Sequence, residues 1–448
     1  MHPRSLNSKR VLIVGYGATG ASVARFLRLH SIDFAVADEG GSTMCRQLAI
    51  SLDCAVHEQF TSELFEQFSV LVLSPGVPRS HFAVQSALEA GVDVVGDIEL
   101  FASVVDAPVI AVTGSNGKST VVSWVTRALQ GAGIKAIACG NIGLPALDSL
   151  HDAADVYVLE LSSYQLESTR SLKPLAASVL NVSDDHLDRY SDIEHYAAVK
   201  RSLYAQAEHC VVNQDDPRTW PQLDDELSGS CERFTLSLEP DVGTRWHRTE
   251  KEGHLWLCDD HFAFLAQREL SVPGDHNVAN ALAALALIEP LEIPFTALRE
   301  GIVGFYGLPH RSEYLGESSG VRWYNDSKGT NIDACCKAIQ AMPGPVVLIA
   351  GGISKGADFS LMRDVVSEHV KLVVLIGRDR LQIRDQLDGS VEIVLADDLR
   401  DAVITAKQHS DKGDVVLLSP ACSSFDMFRN FEDRGEQFAA TVEEVLAA

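Results

Sequence analysis

The chain has 448 residues, 46% of them hydrophobic and 22% charged, and carries a formal net charge of −25. Length and composition predict a globular protein of roughly two to four domains. The acidic balance argues against nonspecific nucleic-acid binding, which needs a basic footprint, and no apolar run approaches the ~20 residues of a membrane span. After the mildly basic residues 1–10 the apolar run Val11–Val14 is too short for a signal peptide, so a cytoplasmic location is expected. Nine cysteines are scattered, Cys335 and Cys336 adjacent, with no C-x-x-C; they are expected to be reduced and structural.

In chain order, residues 11–14 read as a buried strand, Gly15-x-Gly17-x-x-Gly20 opens a helix over 21–29, and a second strand over 34–37 ends at Asp38. Strand, glycine turn, helix and a following acid form a nucleotide-binding fingerprint. Taken alone it also suits a nicotinamide-dependent oxidoreductase, or glycines that serve only helix–strand packing. A third strand over 70–73 runs into the turn Ser74-Pro75-Gly76 on the same strand-end rim, where open α/β sheets bind ligands.

The stretch Gly114-Ser115-Asn116-Gly117-Lys118-Ser119-Thr120 follows the apolar run 109–112 and precedes a helix over 121–129 closed by Gly131. Strand, glycine-rich turn and helix make a phosphate-binding loop, whose amides and helix N-terminus supply positive charge. Lys118 would reach the outer phosphates and Ser119 would place a hydroxyl on Mg²⁺. The match to the general pattern is imperfect: its first glycine position is Val112, and the extra glycine is Gly114. The strand over 156–159 ends at Glu160, placed to hold Mg²⁺ directly or through water. The strand over 177–180 leads into Asn181-Val-Ser-Asp-Asp-His186-Leu-Asp188-Arg189, where His186 reads either as a metal ligand or as an ordinary loop residue.

Lys200 falls on an amphipathic helix, where a lysine normally faces solvent. Residues 231–272 show short strand-like runs (231–238, 254–258, 261–265) and predict a small antiparallel sheet attached to the α/β core. Asn277 is read as the N-cap of an alanine-rich helix to about 288, and Asn277 and Asn280 as adenine contacts. Beyond a boundary at 304–308, apolar runs at 346–350, 372–376, 391–395 and 415–418 predict a third, parallel α/β domain. Its loops carry Lys355, Ser424 and Phe425, and the preceding segment carries Arg311, Asp326, Lys328 and Thr330.

Glu160-Leu-Ser-Ser-Tyr-Gln-Leu-Glu167, Asp185-His186-Leu-Asp188-Arg189, Leu308-Pro-His-Arg311, Asn325-Asp-Ser-Lys328 and Leu418-Ser-Pro-Ala-Cys-Ser-Ser424, together with the phosphate loop and in this order, resemble the Mur ligases, ATP-dependent amino-acid ligases of peptidoglycan precursor synthesis. The resemblance covers nearly the whole chain. It implies three α/β domains: a Rossmann-like one over 1–96, a phosphate-loop one over 97–306 and a Rossmann-like one over 307–448. The implied reaction is addition of D-glutamate to UDP-N-acetylmuramoyl-L-alanine through an acyl phosphate. The implied partners are these small molecules and ATP, without nucleic acid or membrane insertion, on a monomeric chain. A folate-polyglutamate ligase shares the chemistry but gives no reason for a uridine-type first domain.

The resemblance also implies roles. Gly17, Ala18, Thr19, Asp38, Ser74, Pro75 and Gly76 would hold the uridine diphosphate, with Asn141 and His186 near the substrate. Residues 114–120, Asn277, Asn280, Arg311, Asp326 and Lys328 would hold ATP. Thr330, Lys355, Ser424, Phe425 and Phe431 would hold D-glutamate. One Mg²⁺ would sit on Ser119 and Glu160, and a second on His186 and a CO2-derived carbamate of Lys200. After Asp38 the family often presents a polar side chain to uracil; here Glu39, Gly40 and Gly41 follow, which leaves the uracil contacts open.

Overall fold

The computed structural model describes residues 2–39, 54–185, 189–222, 227, 229–260 and 263–447. Among these residues the strands gather into sheets of five, nine and six. By contact density the chain divides into two units. The first comprises Met1–Val182, Arg189–Gln267 and Ala279–Val303; the second comprises Ser183–Asp188, Arg268–Val278 and Gly304–Ala448.

In the first unit the five-stranded sheet is wholly parallel, in the order Val56–His57, Phe34–Ala37, Val11–Val14, Val70–Leu73, Asp93–Gly96. Val11–Val14 is buried at every position, as an inner strand covered on both faces must be. The chain leaves it on one side and returns on the other, so the loops after Val14 and Leu73 flank the switch point where such sheets bind ligands. The helix over the glycine turn is Ala18–Leu29, capped by Gly17, one turn earlier than the spacing predicts; Ala18 and Thr19 are therefore helical. The short Val56–His57 and the strand Asp93–Gly96 were not anticipated.

In the nine-stranded sheet Val109–Thr113 is an inner strand, third from one edge, flanked by Ala176–Val179 and Val156–Glu160. Ala136–Gly140 closes one edge, and His209–Asn213 lies beyond Ala176–Val179. The anticipated antiparallel addition continues this same sheet: Ser230–Thr235 and Thr244–Lys251 still pair in parallel, and only His254–Cys258 and Ala263–Ala266 run antiparallel. One apolar cluster runs through both sheets, from Val11 and Ile13 to Phe101, Tyr157 and Tyr204.

The second unit holds a six-stranded sheet in the order Glu313–Ser318, Val321–Asn325, Val415–Leu418, Val346–Gly351, Val370–Ile376, Glu392–Leu395. Its four anticipated strands are joined by the antiparallel hairpin Glu313–Ser318 and Val321–Asn325, and the other strand pairs described in this sheet are parallel. No described helix is long and apolar enough to cross a membrane.

Candidate active site

At the first rim Gly15 has φ +84°, and a Cβ on Gly20 would stand 2.3 Å from Gly15 O, so both glycines are required for the turn to close. Ser74 Oγ donates to Gly15 O at 2.6 Å, tying the 74–76 turn to the glycine loop. Asp38 Oδ2 accepts the Tyr16 N–H at 2.6 Å, so this acid braces the loop as well as lying on the rim. Gly40 and Gly41 lie outside the described residues.

The phosphate loop leaves Val109–Thr113 and enters the helix Lys118–Gly131, with Gly117 as its left-handed N-cap at φ +83°. A Cβ on Gly117 would meet Asn280 Oδ1 at 2.6 Å, which places Asn280 against the loop. Asn277 is not the N-cap of its helix. That helix is Asp275–Ile288, so Asn277 lies in its first turn, where its amide donates to Pro273 O at 2.7 Å.

Two lysines converge on one carbonyl. Lys118 Nζ donates to Gly114 O at 2.6 Å and to Ser115 O at 2.9 Å; Lys200 Nζ donates to Gly114 O at 3.0 Å. The solvated position expected for Lys200 is wrong: the residue is 1% exposed. Lys200 shares the buried side of Ile193–Arg201 with Tyr196 and Ala197, while Glu194 and His195 are exposed, and its nitrogen lies 4.5 Å from the Tyr196 ring centroid. The Lys118 ammonium beside backbone amides suits a polyphosphate.

Glu160 pairs in register with Val112, one residue before the strand gives way to the loop. Its side chain is 2% exposed. Oε1 accepts from Asn141 Nδ2 at 2.8 Å, whereas Oε2 is buried without a hydrogen-bond partner among the described residues. A buried anionic oxygen with no donor is costly unless a cation meets it. Ser119 is buried in the first turn of the adjoining helix. His186 lies outside the described residues.

In the second unit the loops at the strand ends are knitted together. Asp326 accepts from Ser419 Oγ at 2.7 Å and from Ser312 N at 3.1 Å, and burial pushes its carboxyl up to about 6 despite the opposing Ser419 hydrogen bond and the field of Arg311. Lys328 Nζ sits 3.8 Å over the Phe431 ring. Ala421 N donates to Gly329 O at 2.8 Å, beside Thr330, and Ile353 pairs with Ser423. The stretches bearing Thr330, Lys355 and Ser424–Phe425 are thus neighbours, with Phe425 71% exposed.

Residues 9–96 match the Mur ligase MurD-like N-terminal domain, 112–288 the Mur ligase middle domain and 310–422 the Mur ligase glutamate ligase domain. The chain is 43% identical to a UDP-N-acetylmuramoylalanine–D-glutamate ligase from Nitrosococcus oceani, over 97% of each protein. The chain belongs to the Mur ligase family. A second relative of that name, from Methylobacillus flagellatus, is also 43% identical, over 98% of this chain and 97% of its own. Among solved structures, a pseudomurein peptide ligase type C from Methanothermus fervidus shares the fold, with a TM-score of 0.63 at 17% identity over 98% of this chain and 100% of that one.

Two residues of this Mur ligase were not singled out by sequence. Asn181 grips the phosphate loop: Oδ1 accepts from Asn116 N at 2.8 Å, Nδ2 donates to Asn116 O at 3.0 Å, and Asn181 O accepts from Ser115 N at 2.9 Å. Arg434, fully buried in the helix Phe431–Ala447, donates to Ser327 O at 2.8 Å, Ser327 Oγ at 3.0 Å and Cys422 O at 3.2 Å. Burial draws its guanidinium down to about 10. Asn181 falls inside a stretch already rich in polar residues, but nothing in the sequence marks Arg434 apart from a solvated helical arginine.

Proposed function

We propose that the chain joins D-glutamate to UDP-N-acetylmuramoyl-L-alanine with consumption of ATP, in peptidoglycan precursor synthesis. The observation that carries the chemistry is the set of groups at the phosphate loop: Lys118 and Lys200 on Gly114 O and, on the neighbouring strand, a buried Glu160 oxygen with no hydrogen-bond partner among the described residues. The amino acid comes from the relatives, which bear the name of the D-glutamate-adding enzyme over almost the whole chain.

The substrate carboxylate attacks the γ-phosphorus of ATP. A C–O–P bond forms, the bond to the β-phosphate oxygen breaks, and ADP leaves. The D-glutamate nitrogen then attacks the acyl carbon, inorganic phosphate departs, and the nitrogen gives up a proton. A carboxylate is a poor electrophile, and phosphorylation supplies its leaving group. Lys118 and the loop amides hold the γ-phosphate and offset the charge that develops on it.

Mur ligases use ATP with Mg²⁺. Glu160 Oε2 and the Ser119 hydroxyl fit that ion, which when bound neutralises phosphate charge. A second ion is assigned to His186 and a carbamate on Lys200, formed from the free amine and CO2 with loss of a proton. Residues 17–19, Asp38 and 74–76 receive the uridine diphosphate, and Asn141 receives the acyl end. Asn277, Asn280, Arg311, Asp326 and Lys328 contact ATP. Thr330, Lys355, Ser424, Phe425 and Phe431 contact D-glutamate, whose two carboxylates suit a lysine and hydroxyls. The domains run over 1–96, 97–306 and 307–448, and the protein acts as a cytoplasmic monomer.

The test is phosphate release from ATP with UDP-N-acetylmuramoyl-L-alanine, comparing D-glutamate, L-lysine and diaminopimelate. Release with D-glutamate alone is expected. Equal release with either diamine, or turnover of a folate substrate instead, would sink this reading.

A further inference from the structure

Arg189 and Glu167 close two of the motifs on which the family resemblance rests, and the chemistry above gives neither of them work. In the structure they meet. Arg189 Nε and Nη2 donate to the two Glu167 oxygens at 3.0 and 2.7 Å, a bidentate pair with side chains only 11% and 13% exposed. The guanidinium lies 4.0 Å from the Tyr164 ring centroid. Tyr190 OH donates to Glu167 Oε1 at 2.7 Å, so that carboxylate oxygen is held from two sides.

The third guanidinium nitrogen reaches across to the other sheet. Arg189 Nη1 donates to Pro75 O at 2.9 Å, in the turn after Val70–Leu73. A reciprocal bond runs the other way: Arg79, a few residues beyond the same turn, donates from Nη1 to Glu167 O at 3.3 Å. The ligand-binding turn of the five-stranded sheet is thus bolted to the segment that follows Glu160 in the nine-stranded sheet. The capping box Ser162–Gln165 opens the short helix Ser163–Leu166, fixing the path from Glu160 to Glu167. Lysine cannot replace this arrangement, because it lacks a planar fork that serves a carboxylate with one edge and a carbonyl with the other.

We propose that Arg189 is a positioning residue that sets the span between the turn 74–76 and the carboxylate end of the substrate site at Glu160 and Asn141. The inference rests on the reading of the substrate as a uridine diphosphate carrying a distant carboxylate. Such a molecule is gripped at one end by one sheet and reacts at the other end on the second sheet. The distance between the two grips decides whether the carboxylate arrives in line with the phosphate, and a misplacement of about 1 Å can cost a hundredfold. The turn does not need Arg189 to stay with the glycine loop, since Ser74 Oγ already ties it to Gly15 O.

The experiment measures kcat and KM for UDP-N-acetylmuramoyl-L-alanine, KM for ATP, and calorimetric affinity for UDP alone, in the wild type and in Arg189→Lys, Arg189→Ala and Tyr190→Phe. Arg189→Lys keeps the charge and guards against a variant that fails to fold. Both Arg189 variants are expected to lose about a hundredfold in kcat/KM for the uridine substrate. Affinity for UDP and KM for ATP stay within about twofold, because neither grip is itself removed. Tyr190→Phe shifts the same parameter less. Wild-type activity in Arg189→Lys, or UDP affinity falling by the same factor as kcat/KM, or KM for ATP rising equally, would overturn the span-setting role while leaving the ligase reading intact. No turnover by the wild-type chain would overturn that reading, and this inference with it.

Discussion

The first unit contains two glycine-rich loops built on the same plan, each leaving an inner strand of a sheet and entering a helix capped by glycine. What packs on them differs. The loop after Val14 is braced by acceptors and a neutral hydroxyl: Asp38 takes the Tyr16 N–H and Ser74 Oγ bonds Gly15 O. The loop after Thr113 is braced by the Lys118 and Lys200 nitrogens on Gly114 O and by the Asn181 amide. Glycine spacing therefore marks a place where backbone approaches a ligand, and the side chains packed behind it decide the ligand's charge. Read alone, the first loop and Asp38 fit a nicotinamide cofactor; beside a second glycine loop held by Lys118 and Lys200, they fit one half of a two-nucleotide reaction.

The comparison is broken most directly by removing a cation from the second loop. Lys118→Ala is expected to lower ATP-dependent phosphate release by roughly a thousandfold, about 4 kcal/mol of barrier, with UDP affinity unchanged. Activity within about tenfold of wild type would remove Lys118 from catalysis. Lys200→Ala is expected to lose roughly a hundredfold, because burial and the bond to Gly114 O place it in the loop's frame. A short-chain carboxylic acid should restore part of that activity by standing in for the carbamate proposed on that lysine. Full activity in bicarbonate-depleted buffer, without rescue of the variant, would refute the carbamate.

How far these features were legible in the sequence follows from where the decisive contacts lie. Val11–Val14, Val109–Thr113 and Val346–Gly351 are buried at every position, and such strands read as unbroken apolar runs. Glu313–Ser318 is a half-exposed edge strand with charged and glycine positions, and Val56–His57 is two residues long; neither leaves a periodic signal. Lys200 was misread from the residues alone because helical spacing reports which residues share a side, not what that side meets. Asn181 and Arg434 act through partners 65 and 107 positions away in the chain, and no local pattern carries that information.

The two loops are separated more finely by the side chains Asn181 and Asp38 that brace them. Asn181→Ala removes both side-chain bonds to Asn116, each worth about 1 kcal/mol, and should raise KM for ATP about tenfold while UDP affinity holds. Asp38→Ala should do the converse, weakening UDP several-fold and leaving ATP alone. If either substitution moved both ligands equally, the loops would be one cooperative site and the contrast between them would fail.

The remaining expected effect is on stability rather than activity and concerns the seam between the two sheets. Asp97 follows the strand Asp93–Gly96 and is bonded by Gln165 Nε2, from the segment after Glu160, at 3.3 Å. Burial pushes its carboxyl up from 3.8 to about 6, and the Gln165 bond only partly opposes this. The folded state therefore favours the protonated acid, and ionising it inside the fold has a cost that the unfolded chain does not incur. That cost is absent below 3.8, grows as pH rises toward 6 and is complete above it. At about 1.4 kcal/mol per unit it amounts to a few kcal/mol. Asp97→Asn carries no charge at any of these pH values, so its stability relative to wild type should improve as pH climbs through this window and level off above it. Thermal midpoints of both proteins at pH 4 and pH 7.5 give the difference. A gap independent of pH would mean that Asp97 is hydrated in solution, and that the seam holding the two loops in register is looser than the packing of Phe101 edge-on against Tyr157 at 5.5 Å suggests.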